Sequence, residues 1–363
     1  MNEKDNKLYG LLDFNNIRTV QFGLNYNFQT WYGCSVYFNE NSTQQLGYTY
    51  YNEIYDSNVH DKFIKEIVEC DNDENKVSDN SSNPTKKIQQ DNIKTSKNSE
   101  QKTTLNEKKQ HWLDTLYVCD YCFKYTANRN ELLHHMSVCY YKDRLPGKIK
   151  YLSPEYTIRR IRGFKHTLFC QCLCIFTKLF LDNKSMFFMV DNYEFFVVYE
   201  TDGNRPLGFF SKDFLSPEKN NLACILIFPP YQRRGLGSLL IEFSYKISDY
   251  EGLISGPEKP LSPFGLIAYC KYWSKRICYE FIDNDFQENA TTTLEDISRH
   301  TRLKTEDITL ALEYMGCLRY SDDEQNGKRT YEIVTKNLMS SIKTHNLKHK
   351  RVYVLDEYLL LDI

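Results

Sequence analysis

No apolar run in this chain approaches the roughly 20 residues that a membrane-spanning helix needs, and no apolar signal segment stands at its start. A membrane or secreted protein is therefore not expected. An excess of one charge sign is also missing. With 46 Lys and Arg against 48 Asp and Glu, the formal net charge is -2, which gives no global nucleic-acid signature. Aromatic residues, otherwise plentiful at 28 Tyr and 22 Phe, are absent between Phe63 and Trp112. Within that gap, residues 71–109 are rich in Asn, Asp, Lys, Ser and Gln. They can bury too little apolar surface to offset chain entropy, so a disordered low-complexity insertion is expected there.

What is present exceeds one average domain. A chain of 363 residues can bury a sizeable core. Its twelve cysteines, with no secretory signal, point to a reducing intracellular compartment where thiols are core side chains, metal ligands or catalytic groups.

The most informative stretch joins an apolar strand, expected over residues 221–228, to a helix that is under way by Leu239. Between them lies Pro229-Pro230-Tyr231-Gln232-Arg233-Arg234-Gly235-Leu236-Gly237-Ser238. Gly235 and Gly237 let the backbone curl so that successive N–H groups converge where the helix dipole is most positive. Arg233 and Arg234 add cationic charge, and the whole suits a pyrophosphate. A Gly-x-Gly turn alone more often serves chain reversal. The stretch is not the Gly-x-x-x-x-Gly-Lys-Ser/Thr loop, and it lacks the third glycine of the dinucleotide fingerprint.

A second constellation is Cys119-x2-Cys122-x12-His135-x3-Cys139. Two thiols on a tight turn and a His/Cys pair one helical turn apart match tetrahedral zinc, which supplies folding free energy to a module with little core. His134 is the rival ligand, but the spacing favours His135. Phe123 and Leu132 are expected to form the small apolar core. The helix expected over residues 129–136 offers few base-reading side chains and carries Glu131, which favours a structural finger over a DNA reader.

Further along, strands are expected at residues 148–151, 156–162, 186–189, 195–200 and 206–212, with an amphipathic helix over 166–181. Cys170, Cys172 and Cys174 on that helix are spaced too closely for zinc pairs and read as core side chains. The pattern indicates a mixed α/β or α+β fold. Glu258, flanked by Pro257 and the Lys259-Pro260 pair, would ordinarily be a solvated loop residue, although a stiff loop beside an apolar site could make it a base with a raised pKa. Cys224 on its apolar strand would ordinarily be core. Two capped helices, over 291–298 and 304–314, suggest a helix-turn-helix. Glu306, Asp307 and Glu313 make the second hostile to phosphate, so packing and groove formation are favoured over DNA binding. Basic residues 343–351 and a closing strand over 352–355 could edge the groove.

Gln232-Arg233-Arg234-Gly235-Leu236-Gly237 resembles the acetyl-CoA pyrophosphate loop of acetyltransferases related to the GNAT superfamily. Gln171-Cys172-Leu173-Cys174, Leu179 to Lys184, Gly208-Phe209-Phe210-Ser211-Lys212, Ala223-Cys224-Ile225-Leu226 and Pro257-Glu258-Lys259-Pro260-Leu261-Ser262 resemble, in order, its MYST histone acetyltransferase branch. Ile254-Ser255-Gly256 and Pro263-Phe264 are similar to the fungal silencing-type members. The resemblance implies five regions. These are N-terminal strands (1–64), the insertion (65–110), a C2HC zinc finger (111–145), a GNAT-like catalytic core (146–282) and a C-terminal helix-turn-helix or winged-helix-like region (283–363).

The resemblance also implies acetyl-CoA along Ile225, Leu226 and Ile227, with its diphosphate on Gln232, Arg233, Arg234, Gly235, Leu236, Gly237 and Ser238, and further contacts at Ser262 and Lys271. Glu258 would be the general base. Cys224 would either accept the acetyl group or shape the pocket, with direct attack preferred. Lys184 matches the autoacetylated lysine. Ser238 replaces a basic residue common in the family, which weakens one diphosphate contact. The expected function is a nuclear lysine acetyltransferase acting on a histone tail or nucleosome, on histone H4, in silencing or boundary control. No chromodomain-like barrel precedes the core, so targeting is expected to come from partners, the accessory subunits of a small complex, or from other surfaces. The alternatives are a partner-dependent nucleosome-binding scaffold and a zinc-finger DNA-binding regulator.

Overall fold

The structure is a computed structural model and describes residues 11–38, 111–181, 187–283, 293–323, 328–344 and 352–361. The whole low-complexity stretch, Lys184 and residues 345–351 lie outside these. The chain is a mixed α+β protein. Strand β1 (Leu11–Leu12) pairs with β4 (Gly33–Cys34), and β2 (Ile17–Phe22), β3 (Tyr26–Gln29), β5 (Leu113–Val118) and β6 (Tyr125–Thr126) form a four-stranded sheet in the order β3-β2-β5-β6. Buried Val20 and Phe22, two residues apart, give β2 its inner face, and Ile17 is buried at its start on the other face. Asn16 pins β4, because its amide donates to the Cys34 carbonyl at 2.9 Å and its side-chain oxygen accepts the Cys34 N–H at 2.8 Å. The parallel pairing of β2 with β5 ties the segment before the low-complexity stretch to the segment after it.

The main sheet is an antiparallel meander. It contains β7 (Lys148–Leu152), β8 (Tyr156–Arg162), β9 (Tyr193–Glu200), β10 (Pro206–Asp213) and β11 (Cys224–Ile227), in the order β11-β10-β9-β8-β7. β9 and β10 are buried on both faces, as their continuous Phe and Val content requires. On one face Phe209 meets Phe228, and Phe228 packs against Phe22, Phe123 and Phe176, the last from helix α2 (Thr167–Thr177). On the other face Phe196 stacks on Phe210 at 4.7 Å, and both meet Phe243 of helix α3 (Leu236–Tyr250). Cys170 and Cys174 are buried on α2, as their reading as core side chains requires.

A second core gathers helices α4 (Pro263–Asp283), α5 (Leu294–Thr301), α6 (Thr305–Tyr314) and α7 (Thr335–Thr344), with the hairpin of β12 (Leu318–Asp323) and β13 (Lys328–Ile333). Trp273 sits at its centre, fully buried, and donates to the Tyr245 hydroxyl at 2.7 Å, which joins this core to α3. Thr293 and Asp296 form a reciprocal capping box at the start of α5. Gly316, at φ +64°, follows the end of α6 and lets the chain reverse.

Three expectations are corrected. No strand forms at 187–189, because Gln171 donates to the Phe188 carbonyl and the Tyr193 N–H closes a turn on Val190, leaving Phe188 and Met189 exposed. No strand forms at 352–355 either. There the Glu242 carboxylate accepts the Tyr353 and Val354 amides, in place of a partner strand. Asp307 is not a surface acid on α6: its side chain is fully buried.

Candidate functional site

The site runs along one edge of the main sheet. β11 ends that sheet, so one side of its backbone pairs with β10, in the register Ser211 to Cys224 through Gly208 to Ile227, and the other faces outward. Leu226 points into the core, while Cys224, Ile225 and Ile227 are half-buried. Past the strand, Pro229, Pro230 and Tyr231 make a single 3-10 turn, which Gln232 closes by donating its side-chain amide to the Ile227 carbonyl at 2.9 Å.

The backbone then curls through two left-handed residues, Arg233 at φ +68° and Gly235 at φ +85°. Gly235 precedes α3 and gives it no side-chain cap, so the first-turn N–H groups of Leu236, Gly237 and Ser238 have no partner from that position. A side chain at 235 would also approach the Tyr353 ring, whose nearest atom would lie 3.2 Å from its Cβ. Gly237 is under no such constraint, since the corresponding distance to Ile227 is 3.9 Å. Arg233 and Arg234 are exposed, and Arg234 lies over the Tyr231 ring at 5.5 Å with Glu200 3.7 Å away. Leu236 is buried, so only its backbone faces the curl.

At the other end of the strand, Pro257 bridges to Leu222 in parallel register, and the Glu258 N–H donates to the Leu222 carbonyl at 2.8 Å. The Asn221 N–H donates to the Gly256 carbonyl at 3.0 Å. These bonds lay the Pro257 loop along the lead-in to β11, close to Cys224, with Glu258 exposed. Ser262 is exposed and accepts the Gly265 N–H at 3.1 Å, capping α4 ahead of Pro263. Lys271 stands exposed about two and a half turns further along α4. The strand, the curl and the Glu258 loop are thus brought to one edge. Lys184 lies outside the described residues.

The four finger residues also converge. The Cys119, Cys122, His135 and Cys139 donor atoms all lie within 4.8 Å of one another, and His134 is not among them. Cys119 and Cys122 flank the turn after β5, while His135 and Cys139 come from helix α1 (Arg129–Val138) and its C-terminal cap. The two sulfurs of Cys119 and Cys139 are 3.9 Å apart, and Cys122 Sγ is 3.2 Å from His135 Nε2. A tetrahedral zinc ion with Zn–S of about 2.3 Å sets its ligand sulfurs roughly 3.8 Å apart, so the donor set and its spacing fit that ion. Hydrogen bonds from Cys119 and Cys122 hold the Cys139 thiol well below its ordinary range, while burial pushes Cys119 up. Phe123, expected in the small apolar core of the finger, is fully buried against Phe22, Phe169, Phe176 and Phe228, so the finger packs on the central core.

Sequence reasoning missed a link between finger and sheet. Arg205 donates to the buried Asp120 carboxylate at 2.6 Å and to the Tyr121 hydroxyl at 2.9 Å, and its guanidinium lies 5.0 Å from the centre of the Tyr121 ring. An acid between two zinc-spaced cysteines was the available signal. Tyr353 beside Gly235 carried none.

Residues 144–359 match the MOZ/SAS family. The chain is 47% identical over 355 residues to the histone acetyltransferase SAS2 of Saccharomyces cerevisiae, covering 98% of this chain and 88% of that one. It is 35% identical over 248 residues to the histone acetyltransferase MOF of Drosophila melanogaster, covering 68% of this chain and 29% of that one. Against the Tip60 homolog of Caenorhabditis elegans it is 39% identical over 211 residues, 57% of this chain and 46% of that one. The chain therefore spans most of the yeast relative but less than half of the other two. It belongs to the MOZ/SAS family.

Proposed function

We propose that this MOZ/SAS-family chain is a histone acetyltransferase that moves the acetyl group of acetyl-CoA to a lysine of a histone tail, with histone H4 as the tail. The observation that carries the reading is the shared edge: the Glu258 loop pairs with the lead-in to the Cys224 strand, whose far end runs into the Arg233–Ser238 curl. Two pantetheine amides can pair with the outward backbone of Ile225, Leu226 and Ile227 as an added strand would. The diphosphate then meets the N–H groups of the curl, with Arg233, Arg234 and Gln232 at its rim and Ser262 and Lys271 on the neighbouring helix. That places the thioester toward Cys224.

The incoming lysine has a reference pKa of about 10.4 and must lose a proton before its nitrogen can attack. Glu258 accepts that proton, the nitrogen forms its bond to the acetyl carbon, and the bond to the coenzyme sulfur breaks as the sulfur takes up a proton. Cys224, half-buried beside this point, shapes the acetyl pocket. Lys184 is the site of autoacetylation. The β7–β11 sheet with α2 and α3 is read as a GNAT-like core, and α5, α6 and the β12–β13 hairpin as a helix-turn-helix with a wing. Zinc on Cys119, Cys122, His135 and Cys139 supplies rigidity to the finger and takes no part in the transfer.

The relatives' names support a role on chromatin, hence in the nucleus, and the similarity to yeast SAS2 fits a role in silencing; accessory subunits of a small complex are part of the proposal through the sequence resemblance. Transfer of labelled acetyl from acetyl-CoA to free histones and to nucleosomes, with and without co-purified subunits, tests the reading. Labelled histone is expected, and no transfer under any condition would sink it.

A further inference from the structure

We propose that Asp307 is a positioning residue for the reaction: from the first turn of α6 it holds Lys259 and the Gly256 backbone, and so fixes where Glu258 stands and balances the charge beside it. The inference rests on Glu258 being the base. The Lys259 ammonium lies 3.0 Å from Asp307 Oδ1, and the Asp307 side chain is fully buried while Lys259 is 46% exposed. Gly256 passes directly over the same carboxylate, since a Cβ there would stand 2.3 Å from Asp307 Oδ2. The loop is therefore stapled on two sides. Asn221 and Leu222 hold it to the β11 lead-in, and Asp307 holds it to the C-terminal helices, with Glu258 between the two attachments.

The charges around Asp307 leave Lys259 as its direct partner. Lys304, Glu306, Tyr245 of α3, and Tyr269 and Cys270 of α4 also face it. Of the two cations, Lys304 donates to Asn220 at 2.9 Å and sits 3.9 Å from Glu218, whereas Lys259 reaches the carboxylate itself. Burial raises the Asp307 carboxyl, and the hydrogen bond and charge of Lys259 oppose that rise. A cavity of about 510 Å³, lined by Ile254, Pro257, Lys259, Lys304 and Glu306, adjoins the pair. Lys259 thus has room to swing free if the carboxylate is lost, which would leave an uncompensated cation next to Glu258 in the chain.

Asp307→Asn, Lys259→Met and the double variant in the full chain test this by acetyl transfer to histones across pH, alongside thermal melting. Asp307→Asn is expected to lower kcat by about tenfold with KM for acetyl-CoA within about twofold, because position and not cofactor binding is lost. The uncompensated Lys259 cation favours the ionised form of Glu258, so the acid limb of the kcat/KM profile should move down by up to about one pH unit. Lys259→Met should move that limb the other way. The double variant should return it and recover much of kcat. Acid limbs unmoved in all three, whether or not melting temperatures fall, would overturn the inference, as would a loss confined to KM. If Glu258→Gln keeps full activity, the base reading itself fails. If Glu258→Gln is inactive while Asp307→Asn is unimpaired, only the role of Asp307 falls.

Discussion

The amide of Glu258 donates to the carbonyl oxygen of Leu222 at 2.8 Å, which sets the loop bearing the carboxylate in register with the strand that begins two residues later at Cys224. Because that bond is between backbones, it tolerates changes of side chain at Cys224. Direct attack by lysine then predicts that Cys224→Ala retains turnover within about fivefold at saturating acetyl-CoA, a loss ascribable to pocket shape. Acid-quenched wild-type enzyme should carry no acetyl on Cys224 by peptide mass spectrometry. An acetylated Cys224 that is consumed when histone is added would establish the covalent route instead.

The two glycines of the curl should behave differently. Gly235→Ala forces a side chain into φ +85° and toward Tyr353, costing about 1–2 kcal/mol of local strain. Displacing the N–H groups proposed to hold the diphosphate should weaken acetyl-CoA binding by about tenfold or more, as titration calorimetry would report. Gly237→Ala enters a helix turn with ordinary contact to Ile227, and should cost no more than about threefold.

The finger should hold one zinc per chain, and stripping it should unfold more than the finger. Phe123 stands on the same turn as Cys122 and reaches Phe22, Phe176 and Phe228 in the main core. Chelation, or His135→Ala, should therefore lower the melting temperature of the catalytic region by several degrees, and added zinc should restore it only for the wild type. A finger that melts alone while near-UV dichroism of the core is unchanged would contradict this.

Glu242 makes a pH-dependent contribution whose sign follows from burial. Its carboxyl is raised above the ordinary 4.5, chiefly by desolvation and against the amide hydrogen bonds from Tyr353 and Val354. The folded chain then holds that proton more tightly than the unfolded chain, so this residue's contribution to stability falls as pH rises from about 4.5 through the higher folded value. Glu242→Gln keeps an acceptor for the amides and removes the titration. Urea unfolding at successive pH values should show a shallower loss of stability in the variant over that window.

Much of the site could be read from the chain because its parts are local. The strand, the curl and α3 are consecutive, and so are the spaced thiols and the helix that carries His135. Contacts between distant segments were not legible. The stretch 352–355 has the apolar character of a strand, but Glu242 takes two of its amides. Asp307 reads as one acid among several on α6, and the packing of distant segments against it, Gly256 and Lys259 among them, makes it buried. Arg205 carries no mark of its partner, since Asp120 lies in the finger turn, 85 residues earlier in the chain.

The central claim is that Glu258 takes the proton from the lysine. Single-turnover transfer from labelled acetyl-CoA to histone, comparing wild type with Glu258→Gln at matched cofactor occupancy, measures it most directly. The account predicts a rate at least a hundredfold lower for the variant near neutral pH, with the deficit narrowing as rising pH supplies neutral lysine. Equal rates for the two proteins across that range would contradict it.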